Sequence, residues 1–283
     1  MTEIHQEWDI VTGVGRTALA VAAARAVETA TEGGLIRDPY AAAFVAAAGA
    51  DQLSVEPSAV DPQFGSMVSY LGVRTRFFDE YFMAAAVDQA VIVAAGLDTR
   101  AYRLDWREAD VYEIDQPRVL EFKQEVLDAA GASPACRRHT VPIDLRGDWA
   151  GALAAAGFDP ARPTAWLVEG LLVYLPPAAE EALFDTIGAL SAPGSRMGIE
   201  RIPDSFTVDE MAAPFADSAK RTGVALESLW NLDPRRNVID WLRDSGWKAD
   251  VEEVLDVYER YGREFPPQVP HHLGRTQYVT ARL

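Results

Sequence analysis

Four short stretches carry side chains that could do chemistry: Gly96-Leu97-Asp98, Asp115, Asp144, and Glu169 with Gly170. Each closes a stretch that reads as a strand. Val91–Ala95 stops at Gly96, and polar Asp98-Thr99-Arg100 follows at once. A short, apolar, β-branched run bounded in this way reads as a buried parallel strand. Gly96 lets the backbone turn tightly and brings peptide N–H groups close to a ligand. A second run, Asp110–Ile114, ends in Asp115. A strand, a glycine turn, a short helix and a strand ending in a carboxylate form the nucleotide-binding half of a doubly wound sheet. That places Asp115 to accept hydrogen bonds from ribose hydroxyls. Glu113 alternates with it and competes for the role. In such sheets the ligand lies outside the carboxyl ends of the strands. One acidic strand end says little, because loops are polar anyway; repetition at successive strand ends says more.

The turn also bears on which nucleotide is bound. A dinucleotide site wants G-x-G-x-x-G, so that a helix N-terminus can take the pyrophosphate. Ala95-Gly96-Leu97-Asp98-Thr99-Arg100 lacks the second and third glycines, and Asp98 puts negative charge where pyrophosphate would sit. A ligand without phosphate fits better. S-adenosylmethionine offers a ribose, an adenine, a carboxylate, an ammonium and a sulfonium, and suits an acidic pocket with an arginine for its carboxylate.

The elements that must position these residues follow from the pattern. Arg16–Thr31 is Ala-rich with apolar residues near helical spacing, and Gly33-Gly34 stops it. Asp38-Pro39 opens a second helix to about Ala48. Gly65–Asp88 is a long third helix. Strands and helices then alternate. Strands are expected at Val91–Ala95, Asp110–Asp115, Arg138–Ile143, Thr164–Glu169, Ser195–Glu200, Lys248–Val254 and Thr276–Ala281. Helices are expected at Pro117–Ala130, Asp148–Ala156, Pro177–Leu190, Phe206–Thr222 and Arg235–Ser245. This alternation predicts an α/β fold, a doubly wound, mainly parallel sheet with helices on both faces. No linker splits the chain, so a single domain is expected, with residues 1–88 as a helical N-terminal extension.

Composition removes several classes of function. The 283 residues carry a formal net charge of −17 and are 49% hydrophobic. So acidic a surface repels phosphate backbones and anionic lipid, which argues against nucleic acid or membrane as partner. No apolar run is long enough to span a bilayer. The N-terminus lacks the basic and apolar regions of a signal peptide. A single cysteine, Cys136, allows no internal disulfide. A cytoplasmic protein is expected. No set of metal ligands is assigned.

AAGLDTRAYRL, VYEIDQPRVLEFK, PIDLRGDW and WLVEGLLVYLP resemble the successive motifs of the leucine carboxyl methyltransferase family. The likeness is greatest to its actinobacterial branch of S-adenosylmethionine-dependent methyltransferases. GVGRTALAVAAARAVET, LIRDPYAAAFV, VRTRFFDEYF and the final RTQYVTARL resemble that branch too, so the likeness covers nearly the whole chain. It implies a seven-stranded sheet of the class I methyltransferase type with its last strand antiparallel, and S-adenosyl-L-methionine as cofactor. It implies that the arginine of VRTRFF binds the cofactor carboxylate and that the turn through Ala95, Gly96 and Asp98 cradles the methionine part. Asp115, with Gln116 beside it, takes the ribose. Asp144 and the Leu145 N–H read the adenine. Glu169 and Gly170 lie near the amino-acid end, and Tyr174 and Glu169 lie at the transfer site. Separately from the resemblance, residues 201–236 follow the fifth strand and so depart from the strand tips, where with the N-terminal helix they are expected to form a cap over the acceptor pocket. In protein-directed members the substrate is the C-terminal leucine carboxylate of a phosphatase, and nothing in this sequence shows a groove for it.

Two arginines compete for the carboxylate. Arg74, Phe77, Phe78 and Tyr81 share one helix face, whereas Arg76 meets Asp79 and Glu80 at i+3 and i+4, as on a solvated face. Arg74 also lies about fourteen residues before Asp88, roughly 21 Å of helix, which puts it near the strand tips. Arg74 is therefore favoured. Other residues have plainer readings. Asp144 competes as the cap of a helix starting near Gly147. His139 starts its strand and reads as structural. His271-His272 sit in a loop before the last strand and read as surface. Cys136 reads as inert. Trp8 and the first helix form either a lid or part of the core.

The resulting expectation is an S-adenosylmethionine-dependent O-methyltransferase acting on a small-molecule acceptor. The sequence shows no unambiguous general base, which leans towards a carboxylate over a hydroxyl acceptor. Two alternatives stay open: an NAD(P)-dependent oxidoreductase on a doubly wound fold, and a non-catalytic protein that binds S-adenosylmethionine.

Overall fold

The computed structural model describes residues 14–50, 53, 55–203, 230–231, 233–269 and 271–283. Three helices precede the sheet: α1 (Val14–Ala30), α2 (Ala41–Ala47) and α3 (Pro62–Ala85). Seven strands follow: β1 (Gln89–Val93), β2 (Asp110–Asp115), β3 (Arg137–Pro142), β4 (Ala165–Val168), β5 (Arg196–Arg201), β6 (Lys248–Glu253) and β7 (Gln277–Arg282). Between them run α4 (Arg100–Arg103), α5 (Pro117–Ala129), α6 (Trp149–Ala155), α7 (Pro177–Ala189), α8 (Val238–Asp244) and α9 (Val254–Arg260).

The strands form one sheet in the order β3-β2-β1-β4-β5-β7-β6. Pairs from β3 through β5 are parallel, and β7 runs antiparallel to both β5 and β6. The seven-stranded α/β architecture and its antiparallel last strand are those expected from the sequence. The chain winds outward from β1 to β3 and then returns to place β4 on the other side of β1. The crevice outside the tips of β1 and β4 is thus the topological switch point, where ligands of open α/β sheets bind.

Apolar residues face both ways because both sheet faces are covered. On β1, Ala90 and Ile92 join the core under α1 and α3, while Val91 and Val93 join the core under α6 and α7. This explains why the central strands β1 and β4 read as continuously buried runs rather than alternating ones. The inner face of α1 belongs to the first core, with Leu19, Ala22, Ala23 and Val27 almost fully buried. Between lid and core, the described part of that helix is core.

Some boundaries differ from the sequence reading. β1 starts and ends two residues early, because Ala94 (φ 53°) and Gly96 (φ 47°) turn the backbone into the left-handed region and break the ladder. Gln89, between the expected helix and the expected strand, is a fully buried strand residue whose side-chain amide donates to Asp159 O at 2.9 Å and Thr164 Oγ1 at 2.8 Å. α3 begins at Pro62 and ends at Ala85, three residues before the expected stop, where Ala86 takes φ 52°. The sequence reading missed α9, which follows β6 directly, with no loop between them. The expected helix Phe206–Thr222, most of the 201–236 cap, and Trp8 lie outside the described residues.

Candidate active site at the strand tips

The β1 tip turn is built around two carboxylates. Asp115, at the end of β2, accepts from Gly96 N at 2.6 Å through Oδ2 and from Gln116 N at 2.7 Å through Oδ1. Both bonds come from backbone amides. Each carboxylate oxygen keeps a second lone pair, so the group can still accept two hydrogen bonds. Burial pushes its carboxyl above the ordinary range, and the two amides only partly offset this. Asp98 is held differently. Its Oδ1 accepts from Arg100 N at 2.6 Å, and its Oδ2 pairs with the Arg100 guanidinium. Burial opposes its ionisation, but Arg100, Lys123 and Arg103 outweigh it and bring the carboxyl down to about 2. The amide that opens α4 is therefore already occupied by a carboxylate of the chain itself.

Arg74 reaches the tips of β4 and β5 from α3. Its Nη1 donates to Glu200 Oε2 at 2.9 Å. Its Nε lies 2.9 Å from Glu169 Oε1 but out of line for a hydrogen bond. Gly170 takes φ 65°, and its N–H donates to Glu200 Oε2 at 2.9 Å. Arg100, only 2% exposed, bridges the switch point by pairing with Glu169 at 2.8 Å and with Asp79 of α3 at 2.7 Å. Arg103 pairs with Asp79 as well. Three guanidiniums, of Arg74, Arg100 and Arg103, thus face four carboxylates, of Asp79, Asp98, Glu169 and Glu200. Asp115 adds a fifth, bonded only to backbone.

A second set of contacts ties the helical extension to this turn. Arg25 of α1 donates to Asp38 Oδ2 at 2.8 Å and to Leu97 O at 2.6 Å. Asp38 Oδ2 also accepts from Thr99 Oγ1 at 2.8 Å, while its Oδ1 caps the start of α2 through Tyr40 N and Ala41 N. Tyr174, in the 3-10 turn Leu172–Tyr174 after β4, is hydrogen-bonded to Thr17 of α1 and to Trp230. Burial raises its phenol above the ordinary value.

The remaining candidates separate cleanly. Glu113 does not reach the tips: it faces α5, with Lys123 Nζ and Arg138 Nη2 each 2.7 Å from its Oε2. Arg76 is an exposed partner of Glu80 at 2.7 Å. Asp144 follows β3 and pairs with Arg146 at 2.6 Å on an exposed edge, next to partly buried Leu145. It does not cap the next helix; Asp148 does, accepting from Gly151 N. His139 sits at the base of the sheet, 3.0 Å from Asp110. Cys136 is partly buried, and burial pushes its thiol up to about 12. Of the expected set, the structure brings Arg74, Glu169 and Gly170 together at the tips of β4 and β5. It brings Ala95, Gly96, Asp98, Asp115 and Gln116 together around the tips of β1 and β2.

The sequence reading passed over Glu200, Arg100, and the Arg25–Asp38 pair. Glu200 nearly ends β5 and carries the same acidic strand-end signal as the others. Arg100 was visible in the turn, but its three-way pairing with Asp79, Asp98 and Glu169 depends on α3 lying alongside. A cleft of about 430 Å³ between α7 and α8, lined by residues including Glu180, Phe184, Arg235 and Trp241, shares no residue with this cluster. Its Arg235 is paired with Glu180 at 2.6 Å. No group of three or more His, Cys, Asp or Glu suited to a metal occurs among the described residues. Among them, too, no helix is long and apolar enough to cross a membrane.

The family model of leucine carboxyl methyltransferase matches residues 18–188, which contain both the turn and the β4 tip. The chain belongs to the leucine carboxyl methyltransferase family. Within the family it is 46% identical over 302 residues to a Mycobacterium avium (strain 104) protein named "putative S-adenosyl-L-methionine-dependent methyltransferase", covering 99% of each chain. It is 43% identical over 304 residues to a protein of the same name from Mycobacterium marinum, covering 100% of this chain and 99% of the other. Among solved structures it resembles a DUF574-family protein from Streptomyces avermitilis, with a TM-score of 0.53 at 14% identity over 94% of this chain and 96% of the other. It also resembles a "putative methyltransferase" from Thermobifida fusca, with a TM-score of 0.52 at 17% identity over 92% and 93%. At such identities these structures speak for the fold. The family accounts for the extension as well, because α1, α2 and α3 lie inside the matched span apart from the first residues of α1.

Proposed function

We propose that the protein is an S-adenosylmethionine-dependent O-methyltransferase with a small-molecule acceptor. The observation that carries this reading is the surplus of carboxylate over guanidinium at the switch point. The ligand carries one net positive charge, from an ammonium and a sulfonium against one carboxylate, and so complements that surplus. Asp115 is suited to its ribose, having two free lone pairs beside a backbone that is already satisfied. Arg74 is suited to its carboxylate, because Nη2 has no hydrogen-bond partner among the described residues. In this reading Ala95, Gly96, Asp98 and Gln116 line the same ligand, Gly170 and Glu169 border its amino-acid end, and Asp144 with the Leu145 N–H meets the adenine. The acceptor would approach from the side of Tyr174.

When bound, the cofactor would supply an electrophilic methyl group, whose bond to the acceptor oxygen would form as its bond to the sulfonium breaks in line, with S-adenosylhomocysteine as leaving group. The protein's part is positioning, exclusion of water and placement of charge. Glu169 is shared by Arg74 and Arg100 and so supports both guanidiniums. Tyr174 stays protonated at neutral pH and acts as a hydrogen-bonding wall rather than a base. An acceptor that is already anionic needs no proton removed. A carboxylate therefore suits these residues better than a hydroxyl.

The oxidoreductase alternative loses support from the turn itself. The first amide of α4, which would hold a pyrophosphate, is bonded to Asp98. Titration calorimetry with S-adenosylhomocysteine and with NAD tests this: the first should bind and the second should not, and the reverse result overturns the reading. Turnover of a panel of carboxylic acids and phenols separates an enzyme from a protein that only holds the cofactor.

A further inference from the structure

Glu200 has no part in the site as read from the sequence, yet it stands at its centre. Its side chain is 10% exposed, and Oε2 accepts from both Arg74 Nη1 and Gly170 N. It lies on β5, one strand beyond Glu169 and away from β1. Tyr278 of β7 is its direct neighbour across the antiparallel pair, and Tyr70 of α3 stands close by.

The two carboxylates flanking Arg74 are not equivalent. Glu169 is balanced by two guanidiniums, Arg74 and Arg100. Glu200 has Arg74 alone. The surplus negative charge beside Arg74 therefore resides on Glu200. An α-amino acid presents a carboxylate and an ammonium two bonds apart, so whatever holds one group must meet the other nearby. With Arg74 taking the carboxylate, the uncompensated carboxylate next to it is the natural partner for the ammonium. Building on the cofactor reading above, we propose that Glu200 binds the ammonium of the cofactor's amino-acid end while holding Arg74 in place for the carboxylate. Burial leaves the Glu200 carboxyl above the ordinary range despite Arg74, as expected of a site short of one positive charge.

The test compares three ligands by titration calorimetry: S-adenosylhomocysteine, its analogue lacking only the amino group, and 5′-methylthioadenosine, which lacks the whole amino-acid end. Glu200→Gln keeps the shape and an oxygen that can still accept from both the Gly170 N–H and Arg74 Nη1, so that Arg74 stays in place, but removes the charge. It should weaken S-adenosylhomocysteine binding tenfold or more and leave the other two ligands within twofold of the wild type. Glu200→Asp keeps the charge on a shorter arm and should recover part of the loss. If Glu200→Gln does not fold, as judged by thermal unfolding, Glu200→Asp carries the test with a smaller loss confined to the same ligand. An equal loss for all three ligands, or tighter binding of S-adenosylhomocysteine, overturns the proposal while leaving the cofactor reading intact. Wild-type protein that binds none of the three overturns both.

Discussion

The two ends of the sheet treat carboxylates in opposite ways. At the base, Asp110 is met by two arginines and a histidine. Arg137 bonds it twice, at 2.9 and 3.0 Å, and His139 and Arg162 each lie at 3.0 Å. The Arg137 hydrogen bonds, helped by those from His139 and Arg162, hold its carboxyl well below the ordinary range in spite of partial burial. At the tips, carboxylates outnumber guanidiniums, and burial pushes Asp115 and Glu200 upward. The base is electrostatically complete and the tips are not. A cluster that costs stability in the free protein and would be relieved by a positively charged ligand marks a functional site.

The sharpest way to break this contrast is to remove Arg74. Arg74→Ala should lower affinity for S-adenosylhomocysteine by about 2–5 kcal/mol, the range for a partner lost from a buried charge pair. Arg74→Lys should recover only part, since an ammonium cannot hold a carboxylate bidentately. Arg76→Ala, on the exposed face of the same helix, is the control and should leave affinity unchanged. A larger loss from Arg76 than from Arg74 would show that the helix face has been misassigned.

Asp115→Ala comes next. Two charge-assisted hydrogen bonds to ribose are at stake, each worth about 1.5–3 kcal/mol, so affinity should fall tenfold or more with the fold retained. Unlike Glu200→Gln, this change should weaken 5′-methylthioadenosine as well. A loss confined to S-adenosylhomocysteine would place Asp115 at the wrong end of the ligand.

The contrast also sets the direction of pH effects. A carboxyl raised in the fold favours the folded state below its unfolded pKa, and that contribution is lost as pH rises through the folded value. Asp115 and Glu200 are of this kind. A lowered carboxyl such as Asp110 contributes above its unfolded pKa and loses the contribution as pH falls through the folded value. A ligand that needs Asp115 and Glu200 ionised should bind more weakly as pH falls through their range, by at most about tenfold per pH unit for each group. It should also release protons on binding, measurable as a dependence of binding heat on the buffer. Proton uptake would contradict the assignment.

The smallest effect belongs to the base. Asp110→Asn should lower stability by on the order of 1 kcal/mol, seen as a small drop in Tm, and leave cofactor affinity unchanged. A change in affinity would mean that the two ends are coupled.

Much of this was legible in the sequence, for identifiable reasons. Strand positions follow from apolar runs bounded by Gly, Asp and Pro, and the acidic ends of β2 and β4 fall where those runs stop. The preference for Arg74 over Arg76 needed only helical periodicity and the direction of α3. What periodicity cannot show is how charges are shared across elements. Arg100 looks like one more polar turn residue until α3 brings Asp79 beside it. Glu113 and Asp115 have the same parity on β2, and only the packing of α5, with Lys123 aimed inward, separates a core ion pair from a carboxylate held at the strand tip by backbone amides. The end of β1 was misplaced because Ala94, an unremarkable strand residue by type, adopts a positive φ.

The position of β7 has a consequence for how the molecule is made. Among the described residues, β6 is bonded to β7 and to no other strand, and β7 lies further along the chain. On the ribosome, residues 248–253 therefore emerge before the strand with which they pair. Until β7 follows, β5 keeps an open edge and the sheet stops at five strands. That intermediate exposes unpaired backbone on β5 at its most apolar stretch, Met197–Ile199. The final strand thus acts as a delayed closure, and the interval before it arrives is when the nascent chain is most open to pairing with the wrong neighbour.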